Sequence, residues 1–210
     1  DFNFQKLDLY TAQLEPSLDQ LQKVTESLVG FMDTENELTP FAVFSKILEY
    51  SIAALELAGK DNLNKDQLLA LDGWLVAEAN KLQNELKGLY LNYQYHVAVQ
   101  KIHKFCSETL GGFYLDIIKD RQYTTQADSR ARRSCQTAMY HVLEAMTRWI
   151  APILSFTADE IWDSMADLGA TGDSVLLKTW YELPDVGEIK QDWNSVLVIR
   201  DEVAKAIEEK

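Results

Sequence analysis

Basic residues are in short supply: 20 lysines and arginines stand against 33 acids, a formal net charge of −13. That excludes a uniformly basic nucleic-acid coat protein. It does not exclude a local basic site, because binding follows the local field rather than the sum. Cysteine is scarcer still. Two of them, Cys106 and Cys135, cannot build a disulfide scaffold, and a reducing, cytoplasmic compartment is the expectation. No apolar run approaches the ~18 residues of a membrane helix, and no charged-then-apolar leader opens the chain. The chain starts at Asp1 without a methionine, so it is expected to be a trimmed piece of something longer. Only 9 glycines and 4 prolines occur in 210 residues, so chain breakers are few and helix is expected almost throughout.

Apolar residues recur at threes and fours in most segments, which is the period of a half-buried helix. Leu18, Leu21, Val24, Leu28 and Phe31 follow Pro16 at this spacing. A helix over 39–58 starts with Pro40 at its first position and stops before Gly59. A third is predicted over 64–91, with Leu71, Trp74, Leu75, Leu82, Leu86 and Leu89 as its stripe. A fourth covers 95–110 and is interrupted by Gly111-Gly112. Residues 113–118 either continue that helix or form a buried extended segment, and 119–127 read as a polar loop. The clearest periodicity belongs to Cys135, Met139, Val142, Met146, Trp149 and Ile150. Asp128 or Ser129 can cap this helix, and Pro152 ends or kinks it. Thr157-Ala-Asp-Glu160 reads as a capping box before a short helix through Met165. A short extended segment is expected near 175–181, and a last amphipathic helix over 192–209. The sum is an all-α fold, an antiparallel helical bundle with Trp74, Ile102, Met139, Val142, Met146 and Trp149 in its core.

Residue sets for chemistry are absent. His96 and His103 stand two turns apart, too far to share one ion, and no paired-cysteine or His-Glu-x-x-His spacing occurs, so no metal is expected. Gly111-Gly112 lacks the lysine and serine of a phosphate-cradling loop. No Ser-His-Asp or Cys-His set can be nominated, and Asp159-Glu160 suit a helix N-terminus on dipole grounds alone. No catalytic residue and no cofactor are therefore assigned to this chain.

Charge is placed unevenly. Residues 101–150 carry 8 bases and 5 acids, between flanks that are strongly acidic. Lys119, Arg121, Arg130, Arg132 and Arg133 fall within fifteen residues. By charge alone this island is either a solvated helix end and loop or an anion-binding surface.

The residues of the island carry a resemblance. The segment FYLDIIKDRQYTT (113–125), then ADSRARRSCQTAMYH (127–141) and RWIAPILSFTADEIW (148–162), resembles the bacterial isoleucyl-tRNA synthetases of class I. The similarity is to their anticodon-binding domain, a helical bundle that follows the catalytic core. LDGW (71–74), YHVAVQKIHKFCSE (95–108), TWYELP (179–184) and the last helix extend it over about 64–210. The related valine and leucine enzymes share the fold with different residues here. The resemblance implies binding of the tRNA(Ile) anticodon loop, in partnership with a catalytic domain that uses ATP. That domain's His-Ile-Gly-His and Lys-Met-Ser-Lys-Ser signatures are not in these residues, nor is the zinc-binding tail of many members. The fragment is thus expected to be non-catalytic.

Single-stranded RNA loops are read by edge hydrogen bonds and by stacking on rings or guanidinium planes. Lys119, Asp120, Arg121 and Tyr123 offer a cation, an acceptor, a planar fork and a ring within five residues. The resemblance places Lys119 near the anticodon, as the candidate base contact. Arg130, Arg132 and Arg133 are candidate phosphate clamps at a helix start. Arg132 or Arg133 could instead pair with Asp116, Asp120 or Asp128 to fix the loop. The sequence departs from the family in two places. Gly73 stands where Leu-Asp-Arg-Trp is usual, and 44–50 has only Lys46 where a basic run is usual. Residues 1–63 are therefore set apart as a poorly matching helical segment, and 64–210 as the anticodon-binding bundle. The alternative function is a helical protein-interaction scaffold derived from that fold, without RNA binding.

Overall fold

The structure is a computed structural model, and it describes residues 63–126, 128–165, 173–187, 189 and 191–208. The two helices expected over 16–31 and 39–58 lie outside the described residues. The elements are α1 (Ala70–Leu91), α2 (Tyr95–Lys104), a π-helical stretch (Phe105–Tyr114), α3 (Leu115–Thr124), α4 (Arg130–Ile150), α5 (Ser155–Ser164) and α6 (Trp193–Glu208). Short 3-10 turns cover Lys65–Gln67 and Val175–Leu177. Among the described residues there is no strand.

Long-range contacts fix the directions of the helices. Arg121 meets Asp72 while Lys101 meets Glu85, so the run from α2 to α3 is antiparallel to α1. Gln122 meets Cys135 while Phe105 meets Trp149, so that run is antiparallel to α4 as well. Asp72 reaches Ser134 and Gln83 reaches Trp149, which leaves α1 and α4 parallel. The result is an up-down-up bundle, and all six core residues expected from periodicity are buried. Burying a side chain such as Leu75, Leu86 or Ile102 contributes roughly 1.5–3 kcal/mol. Trp74 packs edge-on against Phe113, with ring centres 5.5 Å apart.

Four local expectations are corrected. The glycine pair does not interrupt the helix. Helical winding runs unbroken from Tyr95 to Thr124, and the backbone widens to π form around Gly111 and Gly112. A Cβ on Gly112 would stand 2.9 Å from the carbonyl oxygen of Ser107, so this residue lets the widened turn close. Second, 119–124 is not loop but the last two turns of α3, because Ile118 and Gln122 bury one face against α4. Third, Thr157 caps nothing. The helix α5 begins at Ser155 behind an uncapped Leu154, and Asp159 instead accepts from Ser174 Oγ and from the Val175 amide. Fourth, the segment near 175–181 opens with a 3-10 turn over Val175–Leu177 rather than with extended chain, and beyond it Tyr181 O accepts from Gln83 Nε2.

The last helix is amphipathic as expected, yet loosely attached. Trp193 leans on Trp74 and Arg200 lies over the Phe113 ring, while Val198, Ile199, Val203 and Ile207 are exposed.

Candidate nucleic-acid interface

The antiparallel packing brings three chain segments to one end of the bundle: the start of α1, the end of α3 and the start of α4. All seven sequence-predicted residues lie on the last two segments. On α3, Lys119 and Tyr123 are four apart and share a face, and both are exposed. Lys119 pairs with Asp116 at 2.6 Å, one helical turn back. Asp120 is exposed beside them, and its carbonyl oxygen accepts from Thr124 Oγ1.

Arg121 does not join that face. Its Nη1 donates to both carboxylate oxygens of Asp72, at 3.1 Å each. Asp72 is fully buried in the first turn of α1. Tyr114 Oη donates to its Oδ1 at 2.8 Å, and Ser134 Oγ donates to its Oδ2. Burial pushes the Asp72 carboxyl above the usual range, while the Ser134, Tyr114 and Arg121 contacts pull the other way. A carboxylate removed from water costs several kcal/mol unless its lone pairs are occupied, and here three donors occupy them.

The segment Ser134-Cys-Gln-Thr137 explains its own specificity. Ser134 Oγ accepts from the Leu69 amide besides donating to Asp72. Cys135 Sγ accepts from Gln122 Nε2, and Gln136 Nε2 donates to Gln122 Oε1. Thr137 Oγ1 accepts from the Leu63 amide. Each side chain therefore ties α4 to a neighbouring segment.

At the start of α4, Ser129 caps the helix by accepting from the Arg132 amide at 3.3 Å. Arg130 is exposed, and its Nε donates to Gln67 O at 2.9 Å. Arg132 Nη1 donates to Thr125 O, while its buried Nε finds no hydrogen-bond partner among the described residues. Arg133 is half-buried on the next position. Sequence reasoning missed Asp72, Tyr114 and Ser134 as supports of this end. The available signal was an acid at position 72 inside the apolar stripe Leu71, Trp74, Leu75.

Residues 72–210 match the family described as the anticodon-binding domain of tRNA ligase. The chain belongs to this family. An isoleucine–tRNA ligase of Nitrosococcus oceani is 53% identical over 146 residues, covering 67% of this chain and 15% of that protein. The isoleucine–tRNA ligase of Stutzerimonas stutzeri is 52% identical over 148 residues, 68% of this chain and 16% of the relative. That of Marinomonas sp. is 44% identical over 204 residues, 95% of this chain and 20% of the relative. The last match therefore extends into residues 1–63, where the family match does not reach. This chain spans a fifth or less of the length of these relatives.

Within this anticodon-binding domain, Gly73 is buried under the chain that follows the 175–177 turn. A Cβ there would meet Ile189 and Val186 at ordinary contact distance, 3.9 and 4.0 Å. A longer side chain would have to displace that segment. Two further groups lie away from the basic end. Burial lowers His141 to about 4, and its Nδ1 is 2.7 Å from Tyr181 Oη. Cys106 and Cys135 are buried as free thiols. Among the described residues no cluster of His, Cys, Asp and Glu is placed to hold a metal, and no helix is long and apolar enough to cross a membrane.

Proposed function

We propose that this domain receives the anticodon stem-loop of tRNA(Ile) and holds it for aminoacylation by the catalytic domain of a longer isoleucine–tRNA ligase. The observation that carries the reading is the gathering of Lys119, Asp120, Tyr123, Arg130, Arg132 and Arg133 at one end of a bundle of this family. Lys119 and Asp120 supply a donor and an acceptor for base edges, and Tyr123 a ring on which an unstacked base can lie. The three arginines meet backbone phosphates. Arg121 supports this surface through Asp72. ATP belongs to the catalytic domain, and the whole enzyme works in the cytoplasm.

The test is a titration with tRNA(Ile) and a second tRNA at two salt concentrations. Lys119→Ala should weaken tRNA(Ile) more than the other tRNA, by about 1–3 kcal/mol on the scale of other base contacts. Arg133→Ala should weaken both alike and reduce the salt slope by roughly 0.7–0.9 per lost phosphate contact. Equal losses for both tRNAs with Lys119→Ala would remove the base-reading role. No binding of either tRNA by the unaltered chain would refute the reading and leave the scaffold alternative.

A further inference from the structure

We infer that Asp72 and Arg121, with Tyr114 and Ser134, form a positioning device for the RNA surface rather than part of the surface itself; this rests on the tRNA-binding reading above. Three side chains from three different elements converge on one buried carboxylate of a fourth. Arg121 comes from the last turns of α3, Tyr114 from the end of the π-helical stretch, Ser134 from the second turn of α4, and Asp72 from the first turn of α1. Lys119, Asp120 and Tyr123 flank Arg121 on α3, and Arg130, Arg132 and Arg133 immediately precede Ser134 on α4. The carboxylate is therefore the fixed point from which both halves of the RNA surface are measured. Without it, the end of α3 and the start of α4 remain joined by the connecting chain and by contacts such as those of Gln122 with Cys135 and Gln136. A base contact needs placement within a fraction of an ångström, so a loosened register costs recognition before it costs the fold.

An arginine beside an RNA surface invites the opposite assignment, a direct phosphate contact, and the two make different predictions for Asp72. If Arg121 binds phosphate, Asp72→Asn frees it and leaves affinity unchanged or raised. If the pair positions, Asp72→Asn and Arg121→Gln each weaken tRNA(Ile) by about tenfold, and the double variant is no worse than either. Arg121→Lys, which keeps a cation toward Asp72, recovers part of the loss. Ser134→Ala and Tyr114→Phe leave the ion pair in place and give smaller losses, which keeps the test open if Asp72→Asn folds poorly. Leu86→Ala serves as the stability control. Leu86 lies fourteen residues along α1, about 21 Å away, so it should lower the melting temperature and leave affinity untouched.

All variants are compared in the full 210-residue chain, well below their melting temperatures, by the same tRNA titration. The expected result is coupled losses for Asp72→Asn and Arg121→Gln with none for Leu86→Ala. Wild-type affinity in Asp72→Asn, or losses that track melting temperature through Leu86→Ala, would overturn the inference while leaving tRNA binding intact. Failure of the unaltered chain to bind tRNA would overturn both, so the two failures are distinguishable.

Discussion

Acidification from pH 7.5 to 5 should weaken the fold through His141. The ring lies against Tyr181 and Tyr140, with Tyr181 Oη 2.7 Å from Nδ1. Glu144 and Arg148 follow on the same helix and pair with each other, so neither is committed to the imidazole. Burial lowers the imidazole from 6.5 to about 4. In the unfolded chain the ring takes its proton near 6.5, whereas the native state holds it off until about 4. Between those values the unfolded state binds more protons, so stability is fully present above 6.5 and is lost as pH falls toward 4. The full shift corresponds to roughly 3 kcal/mol, of which about 2 kcal/mol is already lost at pH 5. For a domain of this size that is a fall in melting temperature of roughly 4–8 °C. The assay is thermal unfolding followed by circular dichroism at pH 7.5, 6.5, 5.5 and 5, for the unaltered chain and His141→Gln. The variant should lose most of the difference between pH 7.5 and 5, because glutamine can satisfy Tyr181 Oη without titrating. An unchanged pH dependence in His141→Gln would refute the reasoning and move the effect to other groups.

Two further outcomes are expected. Gly112→Ala should destabilise by about 1–3 kcal/mol in urea unfolding, because the added methyl meets a backbone oxygen and the helix-propensity gain of about 1 kcal/mol cannot offset a shifted turn. Neutral or higher stability would show that the widened turn relaxes freely. Cys106 and Cys135 should resist a thiol reagent at pH 8 until the chain unfolds, since burial raises both thiols, Cys135 to about 12. Rapid labelling of the native chain would contradict the packing around them.

The core of the bundle was legible because apolar periodicity depends on local spacing alone. Trp74, Ile102, Met139, Val142, Met146 and Trp149 could be picked out without knowing which helix faces which. Ser129 was legible as one of two candidate caps for the same reason, and Pro152 as an end or a kink, which falls as an end after Ile150. The inward turn of Arg121 was not, because its partner is 49 positions away and the pairing exists only once α1 and α3 are antiparallel. The polar run over 119–124 misled through its composition. Its exposed positions are polar, and its one buried position, Gln122, is an amide satisfied by Cys135 and Gln136 across the bundle. Thr157 and Glu160 have the spacing of a capping box, but Ser155 starts the helix earlier and Asp159 is drawn to the 174–175 turn. The basic end was legible as a cluster of charges, and the buried contacts beneath it were not.

The π-helical stretch also acts as a phase-setter. In an ordinary helix each residue turns the next by about 100°. A wider winding turns each residue by less, and the deficit accumulates over Phe105–Tyr114 before α3 begins. The direction in which Arg121 leaves the axis is thus decided upstream, by the backbone around Ser107 and Gly112. Were the same ten residues wound as plain α-helix, Ile102 would stay in the core while Arg121 rotated away from Asp72. Adding or deleting one residue there would act like a misaligned gear tooth, leaving the composition of the basic end intact and presenting the wrong side of it.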